Sequence, residues 1–411
     1  MLFEELVNQE LFFLCRRVIC NKLYNYIPFK GTSKLAISVN KNGLYEGTSA
    51  FFARIFYGLR LYSTNNDLFP HIHKDIILKI MKTNFIIELI KELINIGIPK
   101  NNSKKVILDL ISEISSIGEN FKFEDKYEDK YEIYTRPNKS YIFEYVCSKE
   151  DIEFISNIRS KEPLKQDSVI KLPIYKNRIR YSGGLYEKSS NKFFKASAII
   201  SHSHYIKLIK MNLIFKKENY EINKLIFKLL LRYLLAFDDI GGYSYALPHK
   251  IFNKFSKLLN INTECFASPL NVYLDSYYSI FPDTDTIFGS RGSFFDADFP
   301  EGAYEVNPPF MISIIDKTVD KIFSFLELKS KRYLFLIILP HWSDAEFYDR
   351  LNKCPWKLAH GIWLAGKHSY IIGQQYMKEK SIMYTMKANS CWFLLSSFKD
   401  VIDKKILMNL Q

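Results

Sequence analysis

A chain of 411 residues is long enough for two or three domains and a substantial core. Its 47% apolar and 25% charged residues exclude a disordered or fibrous protein, and its formal charge of +13 favours a polyanionic partner, nucleic acid or acidic membrane. No apolar run approaches the ~18 residues that span a bilayer, and Glu4 and Glu5 stand where a signal peptide would carry cations, so a soluble, intracellular protein without a membrane partner is expected.

The first third has helical spacing. Ile76 to Ile96 repeats apolar residues at nearly helical intervals until Gly97 and Pro99. Asn102-Ser103 then caps a second amphipathic stretch (Val106, Leu110, Ile114, Ile117) that Gly118 stops. "EDKYEDKY" (124–131) alternates charge with Tyr, as a solvated helix face or hairpin edge does. "RSKEPLKQDS" (159–168) is the most polar connector, which places a domain boundary near residue 165. The expected division is a mainly helical accessory or RNA-binding domain over 1–165 and a second domain over 166–411.

After the boundary come a basic, aromatic stretch, "KLPIYKNRIRYSGGLYEK" (171–188), and an apolar helix around Ile222–Leu235. From Asn262 short apolar strands alternate with helices: "TECFASPLN", "GAYEVNPPF", a helix through Ile312, Ile315, Val319, Ile322 and Leu326, then "YLFLIILP" (333–340), with late strands near Tyr370 and in "CWFLLSS" (391–397). This alternation predicts an α/β domain with a mostly parallel sheet. Ligands of such sheets sit beyond the carboxyl ends of the strands.

One such end is Asn307-Pro308-Pro309-Phe310. The prolines fix φ and donate no N–H, Asn adds a side-chain acceptor, and Phe a flat face. Two acceptors and a stacking ring suit the N6 amine of adenine. That amine is a poor nucleophile, and holding it in line with an activated methyl is catalysis by positioning. About forty residues upstream, "TECFASPLN" offers small residues, Ala267 and Ser268, at a strand-to-helix turn, with Glu264 placed to meet an ammonium. "FPDTD" follows with Asp283 or Asp285 for ribose hydroxyls. In this order the signals indicate an S-adenosylmethionine-dependent amino-methyltransferase.

"ECFASPLN", "FPDTDTIFGSRGSFFD" and "GAYEVNPPF" closely resemble the phosphorylated-CTD-interacting-factor family of cap-specific adenosine N6-methyltransferases, from about Asn262 to Phe398. The family modifies the first transcribed nucleotide of capped mRNA when it is 2′-O-methyladenosine. The resemblance implies a Rossmann-type methyltransferase core with an N-terminal mainly helical domain. It carries adenine binding onto Asn307, Pro308, Pro309 and Phe310. It places S-adenosylmethionine near Phe266, Ala267, Ser268, Pro269, Leu270 and Asn271 and near Phe288, Gly289 and Ser290.

Two departures stand out. No Trp precedes Trp342, so the WW domain of animal members, and polymerase-tail binding through it, are expected to be absent. Where the family typically flanks a Trp with an acidic residue and an Arg, this chain has His341-Trp342-Ser343.

A cationic cap is usually held by aromatic rings; Trp342, just past a strand end, is the candidate here. Arg291, Arg178 and Arg180 are candidates for the triphosphate and RNA. The six cysteines form no C-x-x-C pair, and "SHSH" (201–204) has no acidic or Cys partner at ligand spacing, so free thiols and no metal are expected. The expected partner is the 5′ end of a capped mRNA beginning with adenosine, bound by a monomer. The alternatives are an adenine N6-methyltransferase for DNA or internal RNA, and a catalytically silent RNA-binding homologue.

Overall fold

The computed structural model describes residues 131–136, 140–146, 148–160, 185–187, 194–215, 222–236, 245–310, 312–328, 330–377 and 383–398, with Leu2, Lys100, Asn101 and Lys105 before them. The helices expected over 76–117 and most of the accessory domain expected over 1–165 lie outside these residues, as does the polar connector beyond Ser160. The chain divides into two compact units that interleave in sequence: 1–134, 142–199 and 227–236 form one, and 135–141, 200–226 and 237–411 the other.

In the described first half, β1 (Tyr131–Arg136), β2 (Ser140–Val146), β3 (Leu185–Glu187) and β4 (Phe194–Ser201) form a four-stranded sheet of order β1-β2-β4-β3. Helix α1 (Lys149–Ser160) begins with a reciprocal cap. The Asp151 amide donates to Ser148 Oγ at 3.1 Å, and the Ser148 amide donates to Asp151 Oδ2 at 2.8 Å. The Tyr145 hydroxyl donates to the same carboxylate oxygen at 2.9 Å, which ties β2 to the start of the helix.

Helices α2 (His202–Phe215), α3 (Ile222–Ala236) and α4 (His249–Leu259) lead into the larger sheet. Its strands are β5 (Thr263–Ala267), β6 (Ser276–Ser279), β7 (Gly302–Val306), β8 (Tyr333–Pro340), β9 (Lys357–Trp363) and β12 (Ser390–Ser396). A short pair, β10 (Ser369–Ile371) and β11 (Met383–Thr385), lies between the last two in sequence. The order across the six-stranded sheet is β6-β5-β7-β8-β12-β9. Strands β6, β5, β7 and β8 are mutually parallel, and β12 runs antiparallel to both β8 and β9. The mostly parallel sheet expected from the alternation is present. The late strands are arranged differently from their order in sequence: β10 pairs with β11, while β12 enters between β8 and β9.

Period-two alternation along β8 explains why "YLFLIILP" is apolar throughout: both faces are covered. A short helix, α5 (Pro282–Asp285), follows β6; Phe335, Ile337 and Leu339 face α6 (Ile312–Leu326) and α7 (Glu346–Lys353), meeting Ile315, Val319, Ile322, Phe347 and Leu351. Leu334, Leu336 and Ile338 face the opposite side and pack with Phe252, Phe255 and Leu259 of α4. Asn260, in the left-handed conformation at φ 52°, ends α4 and turns the chain directly into β5. No helix among the described residues is long and apolar enough to cross a membrane.

β9 and β12 meet closely at one point. Gly361 is paired with Trp392, and a Cβ at Gly361 would come within 2.5 Å of the indole Nε1. Trp392 is buried, so the ring cannot step aside. Gly361→Ala is therefore expected to cost about 1–3 kcal/mol of stability through overpacking, read as a lowered midpoint in urea denaturation.

Candidate active site

The register brings the expected motifs to one edge of the sheet. Glu264 of β5 is level with Tyr277 of β6 and Glu305 of β7, and Ala267 is level with Ser279. The segments that follow β5, β6 and β7, namely Ser268–Asn271, Phe281–Asp285 and Asn307–Phe310, therefore leave the sheet at the same carboxyl edge.

The first of these is a self-bonded turn. Asn271 Oδ1 accepts from the Ser268 amide at 2.7 Å and from Ser268 Oγ at 2.8 Å, and the Val272 amide donates to the Ser268 carbonyl at 2.9 Å. Pro269 and Leu270 are buried beneath it, and Ala267 is half-buried. The Phe266 ring turns into an aromatic group with Phe294, at 4.7 Å, and Phe295.

Glu264 and Lys207 together hold the next three residues. Its Oε1 accepts from the Tyr273 and Leu274 amides, each at 2.6 Å, while Lys207 Nζ of α2 donates to the Val272 carbonyl at 2.7 Å. The Tyr273 ring stacks on His249 at 4.7 Å. Burial pushes the Glu264 carboxyl up to about 7, opposed by the two amides and the Lys207 charge. Burial also pulls the Lys207 ammonium down to about 8, opposed by Glu264. On both groups desolvation outweighs the attraction between them, as is usual for buried opposite charges. Glu305, beside Glu264 in the register, is raised further by its own burial and then by the Glu264 charge. The ammonium that acts on Glu264 in this structure is thus a lysine of its own chain.

After β6, Asp283 is exposed, whereas Asp285 is fully buried and accepts from the Thr284 hydroxyl at 2.8 Å. Phe288 is buried, and its carbonyl accepts from the Tyr277 hydroxyl at 2.9 Å. Gly289 closes this short helical segment at φ +94°, a conformation that favours glycine. Ser290 Oγ lies 2.6 Å from Ser279 Oγ, and the Arg291 amide donates to the Tyr277 carbonyl at 2.9 Å, so 290–292 runs along β6. Arg291 is exposed, and its side chain hydrogen-bonds to Tyr278.

At the end of β7, Asn307 Nδ2 donates to the Tyr245 carbonyl at 3.0 Å. A carbonyl can only accept, so this contact fixes which end of the carboxamide faces Tyr245 and turns Oδ1 the other way. Asn307, Pro309 and Phe310 are half-buried and Pro308 is buried. Phe310 stands edge-on to Tyr370 at 6.2 Å, and Tyr370 stacks on Tyr245 at 5.8 Å. Tyr245 stacks in turn on Tyr384 at 5.5 Å. The segment carrying Tyr245 is pinned by paired backbone bonds between Ala246 and Ile371, at 2.8 and 3.0 Å.

Trp342 follows β8 at the same edge, half-buried and edge-on to Phe347 at 6.1 Å. Trp392 is core, and Trp356 and Trp363 are half-buried against the two faces of the sheet. Arg178 and Arg180 lie outside the described residues. His202 and His204 meet Tyr141 and Ser201 at 3.0 and 2.8 Å, and the described residues hold no cluster of metal-ligating side chains. Of the described cysteines, Cys265 and Cys391 are buried free thiols and Cys354 is half-buried and free. Lys207, Tyr245 and Tyr370 carry no signal in the sequence around the strand-end motifs. The first two reach the site across 65 and 62 residues, a separation that leaves no local pattern to read.

A family profile described as "Phosphorylated CTD interacting factor 1 WW domain" matches residues 202–373, from α2 through β10. Over this segment the chain is similar to the phosphorylated-CTD-interacting-factor family. The profile's description names a WW domain, at odds with the expectation drawn from the lack of Trp before Trp342; the residues it matches hold five of the six strands of the larger sheet, all but β12. Two similar proteins, from Mus musculus and Homo sapiens, both bear the name mRNA (2′-O-methyladenosine-N(6)-)-methyltransferase. Each is 34% identical over 163 residues, which are 38% of this chain and 23% of the relative. The chain thus matches less than a quarter of the length of these family members.

The raised Glu264 carboxyl has a signed consequence. Between its ordinary value of 4.5 and about 7 the folded protein keeps a proton that the unfolded chain has lost, so stability falls as pH rises through that window. Glu264→Gln keeps an oxygen for both amides and removes the titration. Thermal melts of the variant should gain on those of the native protein between pH 5 and pH 7.5, by the equivalent of roughly 1–3 kcal/mol.

Proposed function

We propose that the chain is an S-adenosylmethionine-dependent methyltransferase acting on N6 of the adenosine next to the cap of mRNA. The observation that carries this reading is the Asn307 carboxamide, anchored through Nδ2 to the Tyr245 carbonyl at the end of β7. This leaves Oδ1 as the acceptor for an amine, level with the turn that ends β5. The names of the two relatives supply the nucleotide and the RNA. In this reading the sheet of order β6-β5-β7-β8-β12-β9 is a Rossmann-type methyltransferase core, with its reversed strand second from one edge.

The residues at the edge fit the donor. The Ser268–Asn271 turn has small side chains at its start and its own polar atoms bonded among themselves. Asp283 is exposed and suits ribose hydroxyls, whereas Asp285 is fully buried. Ala267, Ser268, Asn271 and Asp283 would hold S-adenosylmethionine, which supplies an electrophilic methyl group when bound. Asn307 Oδ1 would accept one N–H of the adenine amine and a carbonyl of the Asn-Pro-Pro segment the other, directing the lone pair outward. Phe310, held at its edge by Tyr370, would meet the base, and Arg291 the RNA phosphates. No strong base is required, because the amine becomes acidic once methylated and its proton passes to solvent.

Labelled S-adenosylmethionine with capped RNAs beginning with A or G tests the assignment: labelling of the A-initiated RNA alone is expected. Equal labelling of both, or preference for uncapped RNA or duplex DNA, would overturn the cap-adenosine substrate. Asn307→Ala should lower kcat by about 100-fold or more, as loss of a positioning hydrogen bond at a reacting group does, with thermal stability changed by no more than about 1 kcal/mol.

A further inference from the structure

Lys207 lies on α2, far in sequence from the strand-end motifs, yet its ammonium contacts the segment that joins the Ser268–Asn271 turn to β6. Three successive residues there are held from different elements. The Val272 carbonyl takes the Lys207 ammonium at 2.7 Å, the Tyr273 and Leu274 amides take Glu264 at 2.6 Å each, and the Tyr273 ring takes His249 of α4. The Val272 amide in turn donates to the Ser268 carbonyl at 2.9 Å, so one residue links the turn to the clamp. Lys207 is half-buried with its ammonium largely desolvated, an expensive way to hold a carbonyl if the only purpose is to keep a loop folded. It is well suited to fixing a backbone segment by a strong charge-assisted hydrogen bond.

We infer that Lys207 is a positioning residue for the methyl-donor turn: with Glu264 it clamps Val272, Tyr273 and Leu274 and so sets the conformation of Ser268–Asn271. This rests on the reading that the turn holds the donor. Lys207 itself touches the backbone and need not touch either substrate. Its loss affects the donor side of the site, whereas the adenine side, built on Asn307 and Tyr245, has separate anchors.

The test uses Lys207→Met together with the double variant Lys207→Met, Glu264→Gln, in which no buried charge is left without its partner. Amide hydrogen exchange of the peptide covering 272–274 and calorimetric titration with S-adenosylmethionine are measured on each. Exchange should quicken by about tenfold or more in both variants, and the donor Kd should rise about tenfold, with the KM for capped RNA changed less than about twofold. The double variant should recover thermal stability without recovering donor affinity. Unchanged exchange at 272–274 would overturn the clamp whatever the donor does. Quickened exchange with unaltered donor affinity would overturn the positioning role. Native protein that binds no S-adenosylmethionine while exchange still quickens in the variants would overturn the donor reading of the turn, and with it the link to Lys207, but not the clamp.

Discussion

The register between β5 and β7 is the constraint on which the rest of the site depends. With Thr263 opposite Tyr304 and Glu264 opposite Glu305, the two strands finish level, and the turns that leave them start side by side. A slip of one residue in either strand would put the Glu264 and Glu305 side chains on different faces of the sheet. The residue of that strand now packed on the α6 side, Cys265 or Tyr304, would move the other way. Register is therefore protected by two chemically opposite faces: Cys265, Tyr304 and Val306 on the apolar side, and two carboxyls on the other. The same choice that aligns the turns also buries two acids next to each other.

Those acids are held in different ways. Glu264 has two backbone amides and a lysine, so its burial is partly offset. The groups acting on Glu305 are its own desolvation and the neighbouring carboxylate, both of which favour the protonated form. A neutral carboxylic acid can sit in a core as a polar but uncharged side chain, at far lower cost than an ion. The pair thus shares one negative charge at most near neutral pH, and that charge resides on the member with the amides.

How much of this could be read from the sequence varies element by element. β8 was legible to its ends because eight buried residues in a row leave only one interpretation at that length. β5, β7 and α6 were legible because a short apolar run ends at a turn or a helical period begins. β6 and β9 were not assigned: "SYYS" is too short and too polar, and "KLAHGIW" is an edge strand whose half-buried pattern carries weak periodicity. At the strand ends, the Asn-Pro-Pro-Phe corner and the Ser268 turn are visible because prolines and small residues end a strand. The groups that orient them are not. Lys207 contributes through one atom to one carbonyl, and Tyr245 contributes a backbone oxygen that any residue would supply. The resemblance places the donor near Phe266 and Phe288; in the structure the Phe266 ring packs with Phe294 and Phe295, and Phe288 is fully buried.

The placement of β12 bears on how this protein comes off the ribosome. The strand that is last among the described residues is an interior one, seated between β8 and β9 with a neighbour on each side. Until residue 396 has emerged from the exit tunnel, the nascent sheet stops at β8, whose inner edge exposes a long row of unpaired backbone groups flanked by Leu, Ile and Phe. β9, already synthesised, has nothing to pair with. Such an edge is the kind that invites pairing with other chains. Among the described strands, β12 is thus the one that completes the sheet, and over the roughly fifty residues between β8 and β12 the nascent chain carries an exposed edge.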